Sequence, residues 1–392
     1  MGALKGLRIL DFTQMKFGPF ATQILGDVGA DIIKVEKPGG EFERTLTYEG
    51  MLLGDTSPFF LSMNRNKRSI VLNLKDHRAH EIVKRLVSTC DVVVSNYRPG
   101  VMQRLGLDYE SLKAIKPDII VIEASGWGAD GPYVARPGQD LLVQAVSGVA
   151  ANSGLLSGPP IPTSLSISDT FGALYLAIAI LVAYQHKQRT GEGQLVQLNL
   201  LDVMIAVQCE EATAWLNMGG DFERPAVAPG SPWASAPYGI YRVRDGYIAL
   251  AMNNLSKLGK ILSIEELHQF DTPDIAFKER DKIARIIQAN LDNRDLSVVE
   301  ELLAQDIWCA QVQSLPQALH DPQVIHNGMI QEIDHPGYGR IKVIGHPIHY
   351  SKTPASLGSG APKTGEHTAE ILKELGFDSE SIKELFSQGV IC

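Results

Sequence analysis

Short apolar runs alternate with helical stripes through the first 150 residues of the chain. Residues 8–12 read as a buried strand, 20–29 as a short helix stopped by glycine, and 31–36 as a second strand. Residues 69–74 give a third strand. Apolar positions then recur at Ala79, Ile82, Val83, Leu86 and Val87, the i, i+3, i+4, i+7, i+8 stripe of an amphipathic helix. Two further apolar runs, 91–94 and 119–122, flank a helix over 109–115. Strands that alternate with helices in this way predict an α/β fold with a parallel, Rossmann-like sheet covered on both faces.

The pattern then changes. Phe171 to Tyr184 is a long apolar run that predicts a buried helix, closing on Thr190-Gly191-Glu192-Gly193-Gln194. Residues 195–200 alternate with a strand period, and a Pro/Gly/Ser-rich stretch at 225–237 marks a boundary. Beyond it, 238–323 mixes short strands such as 247–251 with helices, as a smaller α+β domain would. The tail reads as strands (328–345), a loop (354–362) and two helices (367–375 and 379–386). The expected division is a large domain over 1–225, a small one over 226–327, and a segment, 328–392, that returns to the large domain.

Composition narrows the function classes. A chain of 392 residues exceeds what one core usually supports, in keeping with two domains. The net charge of −9 argues against nucleic acid and anionic membrane surfaces as partners, while leaving room for a local basic pocket. Cys90, Cys209, Cys309 and Cys392 lie far apart, which suits a reducing compartment and supports neither a disulfide framework nor a metal site. No signal-peptide pattern opens the sequence, and the longest apolar stretch reads as short of the ~20 residues that span a bilayer. These features point to the cytoplasm.

Several residues invite chemistry. Asp169 stands just before the long apolar run, where it serves either as a helix cap or as a nucleophile toward an activated acyl group. Glu36 ends the second strand, where a ribose-binding acid would sit, yet only Gly18 follows the first strand where a dinucleotide fingerprint needs three glycines. The basic run Asn64-Arg65-Asn66-Lys67-Arg68, with Lys75, Arg98 and Arg104, is either solvated surface or a phosphate site. Neither GxSxG nor HExxH occurs, so nothing supports a hydrolase triad or a catalytic metal.

Ordered segments nevertheless resemble one family. They are Gly6-Leu7-Arg8-Ile9-Leu10-Asp11-Phe12-Thr13, Leu25-Gly26-Asp27-Val28-Gly29-Ala30-Asp31, Asn66-Lys67-Arg68-Ser69-Ile70, Asn96-Tyr97-Arg98-Pro99-Gly100-Val101 and Gly126-Trp127-Gly128. With Thr190-Gly191-Glu192-Gly193-Gln194 and Gly365-Glu366-His367-Thr368, they resemble the class III CoA-transferases (CaiB/BaiF type). That family holds formyl-CoA transferase, carnitine CoA-transferase and α-methylacyl-CoA racemase.

The resemblance implies a CoA-transferase that takes an acyl-CoA and a small carboxylic acid, with no prosthetic group or metal. It implies an interlocked, ring-like homodimer. Asp169 falls at the family's catalytic carboxylate, which passes through a mixed anhydride and an enzyme–CoA thioester. Backbone N–H groups at the helix start are expected to stabilise the oxyanions. The loop Gln14, Met15, Lys16 and Phe17 would lie beside the thioester. Lys37, Leu72, Lys75, Asn96, Tyr97, Arg98 and Arg104 would line the path of the nucleotide and pantetheine.

Two departures refine the expectation. The racemase branch carries a second base, a His before an Asp, where this chain has Pro137-Gly138-Gln139-Asp140. Gln139 exchanges no proton near neutral pH, which favours transfer over racemisation; its expected part is a hydrogen bond to the reacting carbonyls. The formyl-CoA branch carries a glycine run where this chain has Pro229-Gly230-Ser231-Pro232-Trp233-Ala234, which favours another acid, with Lys16 and Arg44 as candidate anchors for a second carboxylate. A racemase-like isomerase and a passive acyl-CoA-binding protein are the alternative readings. The donor and the acceptor are not legible.

Overall fold

Five of the six strands of the main sheet are buried along nearly their whole length, which is why they read as apolar runs. They are β1 (Arg8–Asp11), β2 (Asp31–Glu36), β3 (Lys67–Val71), β4 (Val92–Ser95) and β5 (Ile120–Ser125), with β6 (Leu195–Asn199) at the edge. The computed structural model describes residues 2–392 apart from 48, 220, 221 and 336. All neighbours pair in parallel, in the order β3-β2-β1-β4-β5-β6. The chain therefore leaves β1 toward one side of the sheet and later enters β4 on the other. Loops at the C-terminal ends of β1 and β4 face a crevice, the usual ligand position in such sheets.

Helices cover the sheet as their patterns require. In α1 (Phe17–Asp27) Pro19 sits in the first turn, where its missing N–H costs nothing, so the helix starts three residues before the sequence-based position. In α2 (His77–Thr89) the buried residues are Ala79, Ile82, Val83, Leu86 and Val87, the predicted stripe. Next come α3 (Tyr109–Ile115), α4 (Asp140–Val146) and α5 (Ile167–Thr190). Two C-terminal helices bring Ile371, Leu372, Ile382 and Leu385 onto the same core as α2.

The predicted burial of α5 is half right. Its Gly172, Ala173, Leu176, Ala177, Ile180 and Ala183 are buried, but Leu174, Ile178, Leu181 and Val182 form a second apolar face that this chain leaves open, Ile178 at 55% exposure and Val182 at 63%. By length and composition the helix passes for a membrane span, contrary to the sequence-based estimate. Apolar residues on all sides of a helix mean that each side faces something apolar.

β3 begins two residues before the predicted start because Lys67 pairs with Ile32 in the ladder. Its side chain then enters a buried polar layer. Lys67 Nζ lies 3.2 Å from Asp11 Oδ2 and donates to Pro19 O at 2.9 Å and Asn64 Oδ1 at 2.8 Å. Lys34 Nζ donates to Thr13 O at 2.8 Å and pairs with Glu41 at 2.9 Å. Both lysines and Asp11 are fully buried. Burial pushes the Lys67 ammonium down to about 8, against the pull of Asp11.

The chain divides into two compact units. The first comprises residues 1–143, 166–204 and 322–392; the second, 144–165 and 205–321. Residues 144–165 and 205–225, which the sequence assigns to the large domain, belong to the second unit. Arg224 shows why: its guanidinium donates to Ser153 O, Pro159 O and Gly158 O, at 2.9, 2.9 and 2.7 Å. That unit carries a small antiparallel sheet, β7 (Gly239–Val243), β8 (Gly246–Leu250) and β9 (Cys309–Gln311). A hairpin of β10 (Ile330–His335) and β11 (Gly339–Ile344) belongs to the first unit.

Removing one member of a buried ion pair leaves the other charge stranded. Lys67→Met should lower the unfolding free energy by about 3–5 kcal/mol in urea titrations. A loss below about 1 kcal/mol, the range of surface pairs, would contradict the role given to Lys67.

Candidate active site

The loop after β1 is pinned to the end of β4. Gln14 N–H donates to Asn96 Oδ1 at 2.8 Å, and Asn96 Nδ2 donates back to Gln14 O at 2.8 Å. Met15 takes a left-handed backbone, φ 63°, and its N–H donates to the Glu43 carboxylate. A non-glycine residue held there is strained, and such strain persists only where the surroundings fix it. Phe17 then opens α1 with its ring against Gly172 of α5. A Cβ on Gly172 would lie 2.5 Å from Leu200 Cδ2 and 2.8 Å from Phe17 Cε2, so glycine is what lets the three elements close up.

The opposite wall follows β5. Gly126 and Gly138 approach so closely that a Cβ on Gly126 would lie 2.5 Å from the Gly138 Cα. Trp127 Nε1 donates to Pro137 O at 3.1 Å, fixing the same loop. Gln139 and Asp140 follow directly. Asp140 Oδ1 accepts the N–H of Ser168 at 2.7 Å and that of Asp169 at 3.2 Å, reaching the start of α5 from outside the helix.

This arrangement settles the position of Asp169. The N-cap of α5 is Ser166, whose side chain makes no capping bond, and Asp169 lies in the first turn proper. The capping work expected of Asp169 is done by Asp140. The expected oxyanion donors are also engaged: Ser168 and Asp169 give their N–H groups to Asp140, and Thr170 N–H donates to Ser166 O at 3.0 Å. Asp169 itself is half-buried. Burial, then the nearby Asp140 carboxylate, pushes its carboxyl up to about 6, while Lys16 draws it down.

A cavity of about 200 Å³ collects Gln14, Met15, Phe17, Asn96, Tyr97, Arg98, Gln139 and Asp169 of the predicted site. A second, of about 480 Å³, holds Lys37, Leu72, Lys75 and again Tyr97. Lys16 lines neither cavity, but its Nζ donates to Ser166 O at 3.4 Å, beside the start of α5. Arg104, exposed at the end of a short helix, lines neither.

Other candidates are consumed by the fold. Arg65 pairs with Asp27 at 2.6 Å, Lys67 with Asp11, and Arg68 with Asp31 at 2.8 Å, so this basic run is internal wiring and not a phosphate site. Arg44 binds Glu36 through two nitrogens, at 2.7 and 2.6 Å, and also donates to Pro362 O. That bond removes Arg44 as a carboxylate anchor and Glu36 as a ribose acceptor. Sequence reasoning missed Arg136, whose guanidinium lies 3.6 Å above the Tyr133 ring and lines the Asp169 cavity. It also missed the parts of Glu43 and Asp140. The glycines at 126 and 138 were the available signal for a tight approach, but their pairing is not local in sequence.

The family model of CoA-transferase family III matches residues 4–368. Human succinyl-CoA:glutarate CoA-transferase is 35% identical over 99% of this chain and 90% of its own length. Succinyl-CoA:mesaconate CoA-transferase of Haloarcula marismortui is 33% identical over 97% of this chain and 98% of its own. The crystal structure of a CAIB/BAIF family protein from Brucella suis superposes with a TM-score of 0.83 at 32% identity, covering 95% of this chain and 99% of that one. A match of this extent, on a sheet and crevice of this form, leaves one assignment: the chain belongs to CoA-transferase family III.

Proposed function

We propose that this CoA-transferase moves CoA from an acyl-CoA donor to a carboxylic acid with Asp169 as nucleophile. The observation that carries the reading is a half-buried carboxylate, free of capping duty, that opens into the cavity built on the Gln14–Asn96 clamp. An Asp169 oxygen attacks the thioester carbonyl, CoA thiolate leaves, and an aspartyl–acyl anhydride remains. The thiolate attacks the aspartyl carbonyl, releasing the donor acid and leaving an Asp169–CoA thioester. The acceptor carboxylate attacks that thioester, and the returning thiolate takes the new acyl group and frees Asp169. Each step trades one activated acyl for another and the cycle begins and ends on a thioester, so it needs no external energy source. Gln139 supplies amide N–H donors in the same cavity for the reacting carbonyls.

Lys37 and Lys75 border the second cavity and suit the phosphates of CoA, with Leu72 and Tyr97 along the pantetheine and Arg104 at the periphery. Arg98 and Arg136 line the Asp169 cavity and enter no ion pair among the described residues, which favours a dicarboxylic acceptor. The glutarate and mesaconate in the names of the relatives are acids of that class. The open face of α5 fits a homodimer, interlocked as the family resemblance implies. A second copy would bury Leu174, Ile178, Leu181 and Val182.

Asp169→Asn should abolish transfer by at least about 1,000-fold while CoA binding persists, measured as thioester exchange across a panel of acids. Retained transfer would refute the nucleophile. Asp169 attacks only when ionised, so kcat/KM should fall as pH drops through about 6. Its folded-state pKa is raised, so the stability linked to its proton is present at low pH and lost as pH rises through about 6. Asp169→Asn should therefore melt higher than wild type at pH 8, by calorimetry, and lose that advantage at pH 4. On α5, Ile178→Glu should convert a dimer to monomer or aggregate in sedimentation velocity; an unchanged dimer would place the interface elsewhere.

A further inference from the structure

Asp140 is the acid that the transfer cycle leaves unused, and it sits where the helix dipole of α5 is strongest. A helix start exposes N–H groups and carries roughly half a positive charge. An acid in the first turn, as Asp169 is, ordinarily satisfies those groups itself or is stabilised by their field. Either outcome would turn the carboxylate inward and weaken it as a nucleophile. Here the N–H groups of Ser168 and of Asp169 itself both go to one oxygen of Asp140, at 2.7 and 3.2 Å. Ser166, the formal N-cap, contributes no side-chain bond, so this part falls to Asp140. Asp140 is in turn held by the Gly126–Gly138 approach just before it, which no larger residue at 138 permits.

We infer that Asp140 is a positioning residue for the transfer: it occupies the positive start of α5 in place of Asp169, leaving the Asp169 carboxylate turned to the thioester and basic enough to attack it. The inference rests on Asp169 being the nucleophile and adds the group that keeps it available. The charges around Asp169 are consistent with this. Asp140 opposes its ionisation and Lys16, from the loop after β1, favours it, while Arg98 and Arg136 line the same cavity. Lys16 alone would make Asp169 a poorer base; burial offsets it first, and Asp140 adds to that.

The test separates charge from geometry. Asp140→Asn keeps an oxygen that accepts the two N–H groups and removes the charge. It should move the acid limb of the kcat/KM profile down by roughly one pH unit. It should slow single-turnover acylation of position 169 roughly tenfold at pH 8, with the KM for the acyl-CoA changed by less than about twofold. Asp140→Ala removes charge and acceptor together and should slow acylation further, by roughly 100-fold, at similar KM. An acid limb that stays at about pH 6 in Asp140→Asn overturns the inference and leaves the Asp169 reading intact. So does a loss of activity that only follows the fraction of folded protein, as a purely structural residue would give. Transfer that survives in Asp169→Asn would overturn the reading beneath it.

Discussion

Two buried lysines hold the turn on which the site is built. Lys34 takes the carbonyl of Thr13 and Lys67 that of Pro19, the residues on either side of the Gln14–Phe17 loop. Lys34 pairs with Glu41 and Lys67 with Asp11 in a buried layer. An ammonium buried in this way gives little net stability, because its desolvation offsets its attraction to the carboxylate. What it gives is position: a donor in a buried layer has few acceptors to choose from, so the loop above has few ways to move. Asn96 and Glu43 then fix the loop from the side and admit the left-handed Met15.

A second fixed point lies across the cavity. Gly126 and Gly138 let two backbones touch, and the acid that follows ties down the start of α5. Between the two walls Asp169 is held by its backbone, while its side chain makes no hydrogen bond among the described residues. The proposed acylation of Asp169 requires both conditions. A capped, hydrogen-bonded acid would be more stable and less reactive; burial, then the Asp140 charge, instead hold the Asp169 carboxyl above its ordinary range.

Much of this scaffold was legible in the sequence. The stripe of α2 and the runs of β1, β2 and β4 follow from local periodicity, which burial in a parallel sheet enforces. Asp169 stood out by its place before the apolar run, its catalytic role and the Gln14–Phe17 loop came through resemblance, and Gln14, Met15, Phe17 and Asp169 line one cavity. What failed depended on partners outside the local pattern. Arg44 looked available until Glu36 and Pro362 were seen around it. The run from Arg65 to Arg68 looked basic until its acids, Asp27, Asp11 and Asp31, came into place. Asp140 read as a neighbour of Gln139, since only the folded chain brings it to α5. The open face of α5 was hidden for the same reason: a uniformly apolar run gives no sign of which side meets its own chain.

The most direct measurement is the mass of the peptide that contains Asp169, taken from enzyme quenched during turnover with an acyl-CoA donor. The account predicts an acyl or CoA adduct on Asp169 that hydroxylamine removes and that is absent without donor. An unmodified Asp169 in enzyme that is visibly moving CoA between acids would contradict it.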